Sequence, residues 1–271
     1  MWSELDRPIL TNEIMDIKII SSNIRFNNPA DTNHAWDNRK QILCDFLNSE
    51  SPDIVCSQEG RRPQLMEFNT LLGNLDIIES HRNWIKERMY PCIYINKDKF
   101  FVEESGDIWL SETPNEAGSK SFNSAFPRLC TWAKLAIKDS GREIFIVNCH
   151  LDHCFSDTRV EQVKVLLEEI YKINSSNEAL LLCGDFNENP EGEVRKTLMT
   201  MRDNLVDPWI DFNHPEETTF HKFKGKLEEG SRIDWIISDK RFDCSSIKII
   251  KENKEGIYPS DHFPVVAQFS I

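Results

Sequence analysis

The sequence lacks the segments that carry a protein into or across a membrane. No apolar run approaches the roughly 20 residues that a membrane-spanning helix needs. The first residues, Met-Trp-Ser-Glu-Leu-Asp-Arg-Pro, contain no basic segment followed by an apolar core, so they do not resemble a secretory signal. We therefore expect a cytoplasmic protein without a membrane partner.

Several common nucleotide-binding and catalytic motifs are also absent. The chain has no P-loop, no GxGxxG and no GxSxG sequence, which argues against a phosphate-cradling loop and against serine-esterase chemistry. It has no CxxC pair, and four of its eight cysteines lie within or beside apolar runs, namely Cys56, Cys130, Cys149 and Cys183. This placement favours buried free thiols in a reducing compartment over disulfides or a zinc site.

Positive charge is scarce, because 32 Lys and Arg residues stand against 45 Asp and Glu residues, for a formal net charge of −13 at pH 7. Such an acidic balance argues against broad, sequence-independent binding to nucleic acid or to an anionic membrane. It stays compatible with a small phosphorylated substrate that is held in one local positive spot.

The 271 residues contain no internal repeat, no low-complexity segment and no linker rich in Pro, Gly or Ser. We therefore predict a polar N-terminal extension over residues 1–14 and a single domain over residues 15–271. Hydrophobic residues make up 39% of the chain, which is typical of a soluble domain with a sizeable core. We expect this domain to act as a monomer.

Strand patterns clearly outnumber helix patterns. Helical spacing of apolar residues predicts helices over 36–50, 64–72 and 158–173, with another near 191–201. Few of the predicted strands are joined by helical crossovers, which disfavours a parallel Rossmann-like sheet. The sequence predicts an α/β (α+β) fold of two packed, mostly antiparallel sheets with helices outside. The predicted strands cover 15–22, 54–57, 75–78, 91–96, 100–103, 107–110, 129–137, 143–149, 179–184, 232–238, 246–251 and 264–270.

Polar residues follow the predicted strands where the apolar runs stop. Asp185 and Asn187 follow the buried run from Ala179 to Leu182 and, being two residues apart, lie on the same side of an extended chain. In antiparallel sheets the end of one strand lies beside the start of its neighbour. If the relevant strands are neighbours, all of these polar residues share one rim. The other polar residues are Asn23, Glu59 and His150 at strand ends, and Asp234, Asp261 and His262 at strand starts.

Such a rim would collect carboxylates, carboxamides and imidazoles. Hard oxygen ligands in this number suit Mg²⁺ or Mn²⁺. A bound ion of this kind polarises a phosphoryl oxygen and lowers the pKa of a bound water. Histidine and asparagine side chains can donate hydrogen bonds to the charge that develops on a phosphoryl group. The residue types therefore favour metal-dependent chemistry on a phosphate ester.

Six short segments follow one another along the chain: Asn23, Gln58-Glu59, Asn148-Cys149-His150, Gly184-Asp185-Phe186-Asn187, Arg232-Ile233-Asp234 and Ser260-Asp261-His262. In this order they resemble the motifs of the endonuclease/exonuclease/phosphatase superfamily, which includes DNase I-like nucleases, inositol-polyphosphate phosphatases and Ccr4-type deadenylases. The resemblance spans residues 15–269 and implies a four-layer α/β sandwich with its site at one edge of the paired sheets.

The resemblance also implies roles for the metal-binding residues and for two substrate-binding residues. Glu59 would be the principal Mg²⁺ ligand, with Mn²⁺ as an alternative ion, and Asp261 and Asn23 would lie near the ion, directly or through water. Arg128 falls where relatives carry a phosphate-binding arginine, and Tyr90 matches an active-site tyrosine.

The remaining implied roles are catalytic. Asp185 would orient or deprotonate the attacking water, and Asn187 and His150 would stabilise the transition state. His262 would contact the phosphate while Asp234 holds its imidazole in one tautomer. An alternative assignment makes the His262–Asp234 pair the base.

Two further segments, Ala35 to Arg39 and Thr219-Phe220-His221, resemble small stand-alone members of the superfamily that share features with the deadenylase branch. The segment 79–89, ESHRNWIKERM, differs from the Gly-rich loop that shapes the substrate pocket of relatives. We expect a Mg²⁺-dependent phosphoesterase that hydrolyses a phosphodiester or phosphomonoester of a small or nucleotide-type substrate by in-line attack of water. The alternative is exonuclease or deadenylase-type trimming of a short nucleic acid, and a non-catalytic binding protein is disfavoured because every expected site residue is present.

Overall fold

The structure, a computed structural model, describes residues 14–227 and 230–271. The predicted extension over residues 1–14 therefore lies outside the described residues except for Ile14, and the single domain over 15–271 stays a prediction. In the described ranges, no helix combines the length and the apolar character that crossing a membrane requires.

Two six-stranded sheets form the centre of the fold. In spatial order, the first contains β11 (Asp243–Ile249), β12 (Val265–Ser270), β1 (Asp16–Asn23), β2 (Ile54–Gln58), β4 (Cys92–Asn96) and β3 (Leu75–Ile77). The second contains β5 (Phe100–Trp109), β6 (Leu129–Ile137), β7 (Glu143–His150), β8 (Ala179–Asp185), β10 (Asp234–Asp239) and β9 (Leu205–Val206). Each sheet has one parallel pair, β1 with β2 and β7 with β8, and the other neighbours are antiparallel. The prediction of mostly antiparallel sheets is confirmed.

Helices cover the outer face of each sheet and complete a four-layer α/β sandwich. The helices α1 (Trp36–Ser49) and α2 (Arg62–Leu71) pack on the first sheet, and α3 (Ser156–Ile173) and α4 (Glu193–Met201) pack on the second. A short helix, α5 (Pro208–Asp211), follows β9. Alternate residues of β8 supply the two layers of core. Leu181 and Cys183 face the other sheet, whereas Leu180 and Leu182 face the helices.

The cysteines have the placement that the sequence predicts. All eight are free, and six of them are buried. Burial raises the pKa of the Cys130 thiol and of the Cys92 thiol, the latter to about 11, so both stay protonated near neutral pH. These thiols act as small apolar side chains in the core.

Several strand predictions are wrong, and the sequence predicted no strand at β9. The sequence suggested separate strands over 100–103 and 107–110, but β5 runs without a break through both. A β-bulge between Val102 and Glu104 inserts one extra residue opposite β6. Because a bulge shifts the side-chain alternation by one residue, the apolar pattern changes phase there and resembles the end of a strand. The predicted start of a strand at 232 is also two residues early, since β10 begins at Asp234.

Gly184 sets the close approach of β7 and β8, which carry His150 and Asp185 at their ends. Its φ is +153°, and a Cβ atom there would lie 2.2 Å from the backbone oxygen of Cys149. We expect Gly184→Ala to lower the free energy of unfolding by about 1–3 kcal/mol through overpacking, measured by denaturant titration. Gly256→Ala is the control, because Gly256 has a φ of +80° but no atom within 4 Å of the added Cβ. Equal losses in the two variants would mean that backbone strain, and not the contact with Cys149, limits the position.

Candidate active site

Strand pairing brings the predicted polar residues to one rim. Asn23 lies opposite Gln58 in the parallel pair of the first sheet. Asp185 lies opposite His150 on one side and opposite Asp234 on the other. The rim therefore brings together the ends of β1, β2, β7 and β8 and the start of β10.

Asp185 lies at the centre of this group. Its Oδ2 accepts a hydrogen bond from Asn23 Nδ2 at 3.0 Å and lies 3.5 Å from His150 Nε2 and 3.9 Å from His262 Nε2. Its Oδ1 accepts the backbone N–H of Asn187 at 2.9 Å, while Asn187 has a φ of +52°. One carboxylate oxygen is thus surrounded by three side-chain nitrogens from β1, β7 and the segment before β12.

The two histidines have opposite electrostatic environments. His262 Nδ1 lies 2.9 Å from Asp234 Oδ2. Burial opposes charge on this ring, but the carboxylates of Asp234 and Asp185 raise the pKa of His262 to about 10. Burial and the nearby Arg128 hold the pKa of His150 well below its ordinary value. One imidazole is therefore a charged donor and the other a neutral one.

Glu59 and Asp261 form a second acidic group beside this centre. Glu59 Oε1 accepts a hydrogen bond from Asn23 Nδ2 at 3.2 Å, and Oε2 accepts the N–H of Phe26 at 3.2 Å. Glu59 has a φ of +72°, a strained backbone conformation of the kind that clusters at functional sites. Burial and the neighbouring Glu59 raise the pKa of Asp261. The raised pKa of Asp261 indicates that nearby cations do not fully balance the negative charge at this carboxylate.

Arg25 is a site residue that the sequence reasoning missed. Its Nη1 lies 3.9 Å from Glu59 Oε2 and its Nε lies 3.8 Å from Asp261 Oδ2. A bidentate ion pair with Asp31 fixes the guanidinium, with Nε 3.0 Å from Oδ2 and Nη2 3.1 Å from Oδ1. The one available signal was its position two residues after Asn23, whose side-chain oxygen accepts the Arg25 N–H at 2.9 Å. That hydrogen bond turns the Asn23 nitrogen towards the carboxylates.

The donor set of the rim fits a hard divalent cation. Four carboxylates lie together, and the cations near them include Arg25, Arg39, Arg128 and His262. Burial and Asp234 raise the pKa of Asp185 to about 7, a sign of crowded negative charge. Asp234 Oδ1 is buried without a hydrogen-bond partner in the described part of the chain. Oxygen-rich sites of this kind suit Mg²⁺ or Mn²⁺ better than zinc.

Glu59 and Asp261 could hold such an ion, because Glu59 Oε2 and Asp261 Oδ2 face the guanidinium of Arg25 at 3.9 and 3.8 Å, longer than a close ion pair. A tighter group of ligand-type atoms consists of Asp185, Asp234 and His262, all within 4.8 Å of one another. In that group, however, the His262 ring is already paired with Asp234, so it acts as a cationic partner of the carboxylates.

Arg128 lies buried beside the same group. Its Nη2 is 3.3 Å from His153 Nδ1, and its Nε has no hydrogen-bond partner within the described ranges. Burial lowers the pKa of Arg128, although Asp185 and Glu59 oppose that effect. A guanidinium in this environment is a suitable receptor for a phosphate oxygen.

Tyr90 forms its side-chain hydrogen bond outside the group of polar residues around Asp185. It is buried, and its hydroxyl accepts the backbone N–H of Ile85 at 2.9 Å. Its ring packs edge-on against Trp84 and Trp109. In the described structure no hydrogen bond joins Tyr90 to another predicted site residue. Its contacts fix the segment 79–89 beside the rim.

The segments 35–39 and 219–221, which resemble small members of the superfamily, support the rim. Arg39 is fully buried and donates hydrogen bonds to the backbone oxygens of Ile24, Arg25 and Pro259. It thereby ties the segment after Asn23 to the segment before Asp261. Phe220 packs its ring 4.8 Å from the ring of His262. These residues position the site and do not contact its centre through polar groups.

Comparison with known proteins agrees with this geometry. The family model described as "Endonuclease/Exonuclease/phosphatase family" matches residues 20–262. Protein L388 of Acanthamoeba polyphaga mimivirus is 26% identical over 274 residues, which cover 93% of this chain and 100% of that protein. The CCR4-Not complex 3'-5'-exoribonuclease subunit Ccr4 of Candida albicans is 27% identical over 300 residues, covering 87% of this chain. The chain spans only 38% of the length of that subunit.

A solved structure is similar over nearly its full length. The mannosyl-6-phosphatase of Bacteroides thetaiotaomicron superposes with a TM-score of 0.84 at 27% sequence identity. The superposition covers 93% of this chain and 99% of that one.

Proposed function

The chain belongs to the endonuclease/exonuclease/phosphatase family and is a phosphoesterase, and from this premise we propose a Mg²⁺-dependent hydrolase of small phosphorylated or nucleotide-type substrates. Either a phosphodiester or a phosphomonoester would fit the site. The observation that carries the proposal is the convergence of Asn23, His150 and His262 on one oxygen of Asp185, beside the acidic pair of Glu59 and Asp261.

In the proposed reaction a water attacks phosphorus in line with the leaving group. Asp185 orients this water and accepts its proton as the new P–O bond forms and the bond to the leaving oxygen breaks. Mg²⁺, or Mn²⁺, held by Glu59 and Asp261 with Asn23 beside them, would act as a Lewis acid that polarises a phosphoryl oxygen.

The remaining side chains stabilise the charge on the phosphoryl oxygens. His262, fixed by Asp234, and the neutral His150 donate N–H groups to those oxygens, and Asn187 donates its carboxamide N–H. Arg128 binds a non-bridging oxygen through its buried guanidinium. Tyr90 contributes by fixing the wall of the substrate pocket.

A small substrate is favoured over long duplex nucleic acid. The net charge of −13 opposes extended phosphate-backbone contacts. The match to the mannosyl-6-phosphatase covers almost the whole of both chains, which supports an enzyme that acts on a small phosphorylated compound. The proposed site residues converge within a single chain, so the proposed reaction does not require an oligomer. The buried free thiols support a cytoplasmic location.

Trimming of short nucleic acid from one end is the second candidate. It is motivated by the 27% identity to a 3'-5'-exoribonuclease subunit over 87% of this chain. A few nucleotides can be held by stacking and local charge without a large basic surface.

Hydrolysis of p-nitrophenyl phosphate, bis-p-nitrophenyl phosphate and a short oligoadenylate tests these candidates side by side. We expect turnover of at least one of the two small esters with Mg²⁺ or Mn²⁺ and none with EDTA. Faster cleavage of the oligoadenylate than of either small ester would favour the second candidate. Hydrolysis that persists undiminished in EDTA would contradict the proposed metal dependence.

A further inference from the structure

A basic pocket opens beside Glu59, between the start of α2 and the segment 79–89. Its volume is about 480 Å³. The residues that define its chemistry are Arg61, Arg62, Gln64, Trp84, Ile85 and Lys86. Among the described residues, none that is used in the proposed reaction lines the pocket.

The lining has an excess of positive charge in a strongly acidic chain. Arg61, Arg62 and Lys86 face one acidic residue, Glu87. Arg61 Nε lies 3.9 Å from Glu87 Oε2, and their side chains are 38% and 71% exposed, so this ion pair is weak. Arg61 Nε is also buried without a hydrogen-bond partner within the described ranges. The pocket therefore offers donors that an anion can use.

The pocket shares a wall with the catalytic rim. Phe26 donates its backbone N–H to Glu59, and the guanidinium groups of Arg25 and Arg61 lie 4.4 and 5.1 Å from the Phe26 ring. Gln64 accepts the N–H of Asn27 at 2.8 Å and donates to the backbone oxygen of Arg25 at 2.9 Å. Asn27 and Gln64 of the pocket lining are therefore held against the Arg25–Phe26 segment, which in turn contacts Glu59.

The opposite wall of the pocket is fixed. Trp84 donates its ring N–H to Glu79 at 2.9 Å, and its ring lies against the guanidinium of Arg82 at 4.8 Å. The Tyr90 hydroxyl accepts the N–H of Ile85, and a β-bridge joins Met89 to Arg61. A pocket whose walls are fixed in this way is preorganised for binding.

We propose that this basic pocket binds a second, non-reacting phosphate group of the substrate. The inference rests on the proposed function and narrows it to compounds that carry two phosphate groups. Arg61 and Arg62 would contact the second phosphate directly, and Lys86 would add to the local positive potential. The preferred substrate is then a nucleoside bisphosphate or a sugar bisphosphate.

Binding is measured by calorimetry in the Asp185→Asn background with Mg²⁺, so that turnover does not enter the result. Adenosine 3',5'-bisphosphate is compared with adenosine 5'-monophosphate, and fructose 1,6-bisphosphate with fructose 6-phosphate. We expect at least one bisphosphate to bind about tenfold more tightly than its monophosphate, as one additional charge-assisted contact supplies. The pair with the larger ratio identifies a nucleoside or a sugar as the source of the second phosphate.

The same comparison is repeated with Arg61→Gln/Arg62→Gln, which is expected to lose most of the bisphosphate preference. Arg61→Lys/Arg62→Lys, which keeps the charge, should retain part of it. Lys172→Gln/Lys196→Gln removes two exposed charges on α3 and α4 and serves as the matched control. Equal affinities for mono- and bisphosphates, or equal losses in the Arg61/Arg62 and control variants, would overturn the inference. Metal-dependent turnover of simple esters would still support the proposed function in that case.

Discussion

Replacing Asp185 by asparagine is expected to lower kcat by about 10²–10⁴-fold, the usual contribution of a general base. The carboxamide has nearly the same shape, so its oxygen can still accept the N–H of Asn187. It cannot take up a proton from the attacking water. Asp185 is not a proposed metal ligand, so Mg²⁺ affinity should change much less than kcat.

Steady-state kinetics and calorimetry on the same preparation check this prediction. Asp139→Asn is the matched control, because Asp139 is exposed in the turn between β6 and β7, at the other end of these strands from the rim. If the His262–Asp234 pair were the base, Asp234→Asn would cost as much as Asp185→Asn. A wild-type kcat in the Asp185→Asn variant would show that Asp185 is not the general base.

The layer order of this fold could be predicted because most of the strands carry a clear apolar pattern, although the two-residue β9 and the mostly exposed β11 do not. Leu180 to Leu182 are buried on both sides, and the polar residues begin at the point where the strand ends. Strand neighbours could not be read from such patterns, because they are fixed by long-range pairing. The parallel pairing of β7 with β8, which places His150 opposite Asp185, is one example.

The candidate site was predictable where polar residues followed strands, and less so where the backbone is strained. Arg25, Glu59 and Asn187 all have positive φ values, at +51°, +72° and +52°. None is glycine, and Asn187 alone belongs to a residue type that is enriched at positive φ, so the sequence contains no local signal for the conformations of Arg25 and Glu59. The tertiary contacts of Arg39 and Gln64 hold the segment around Arg25, and they unite residues far apart in the chain. The role of Arg25 therefore became visible only in the structure.

Replacing Glu59 by glutamine is expected to weaken Mn²⁺ binding by about 10–100-fold or more, since the loss of a residue that merely supports a ligand already costs this much. The physical reason is the local charge balance. Glu59 and Asp261 carry two negative charges, opposed by the nearby cations Arg25, Arg39 and His262. Glutamine at position 59 removes one of the two negative charges, so this group attracts a divalent ion less strongly.

Electron paramagnetic resonance of free Mn²⁺ measures this affinity without reference to turnover. Glu252→Gln, which removes an exposed carboxylate, is the control. Local charge also sets the expected direction in which Arg25→Gln changes the Mn²⁺ affinity. Arg25→Gln removes the positive charge 3.8–3.9 Å from both carboxylates and should tighten Mn²⁺ binding, whereas Glu59→Gln weakens it. If both variants shifted the affinity in the same direction, local charge would not control binding here, and Glu59 would lose its assignment as the principal ligand.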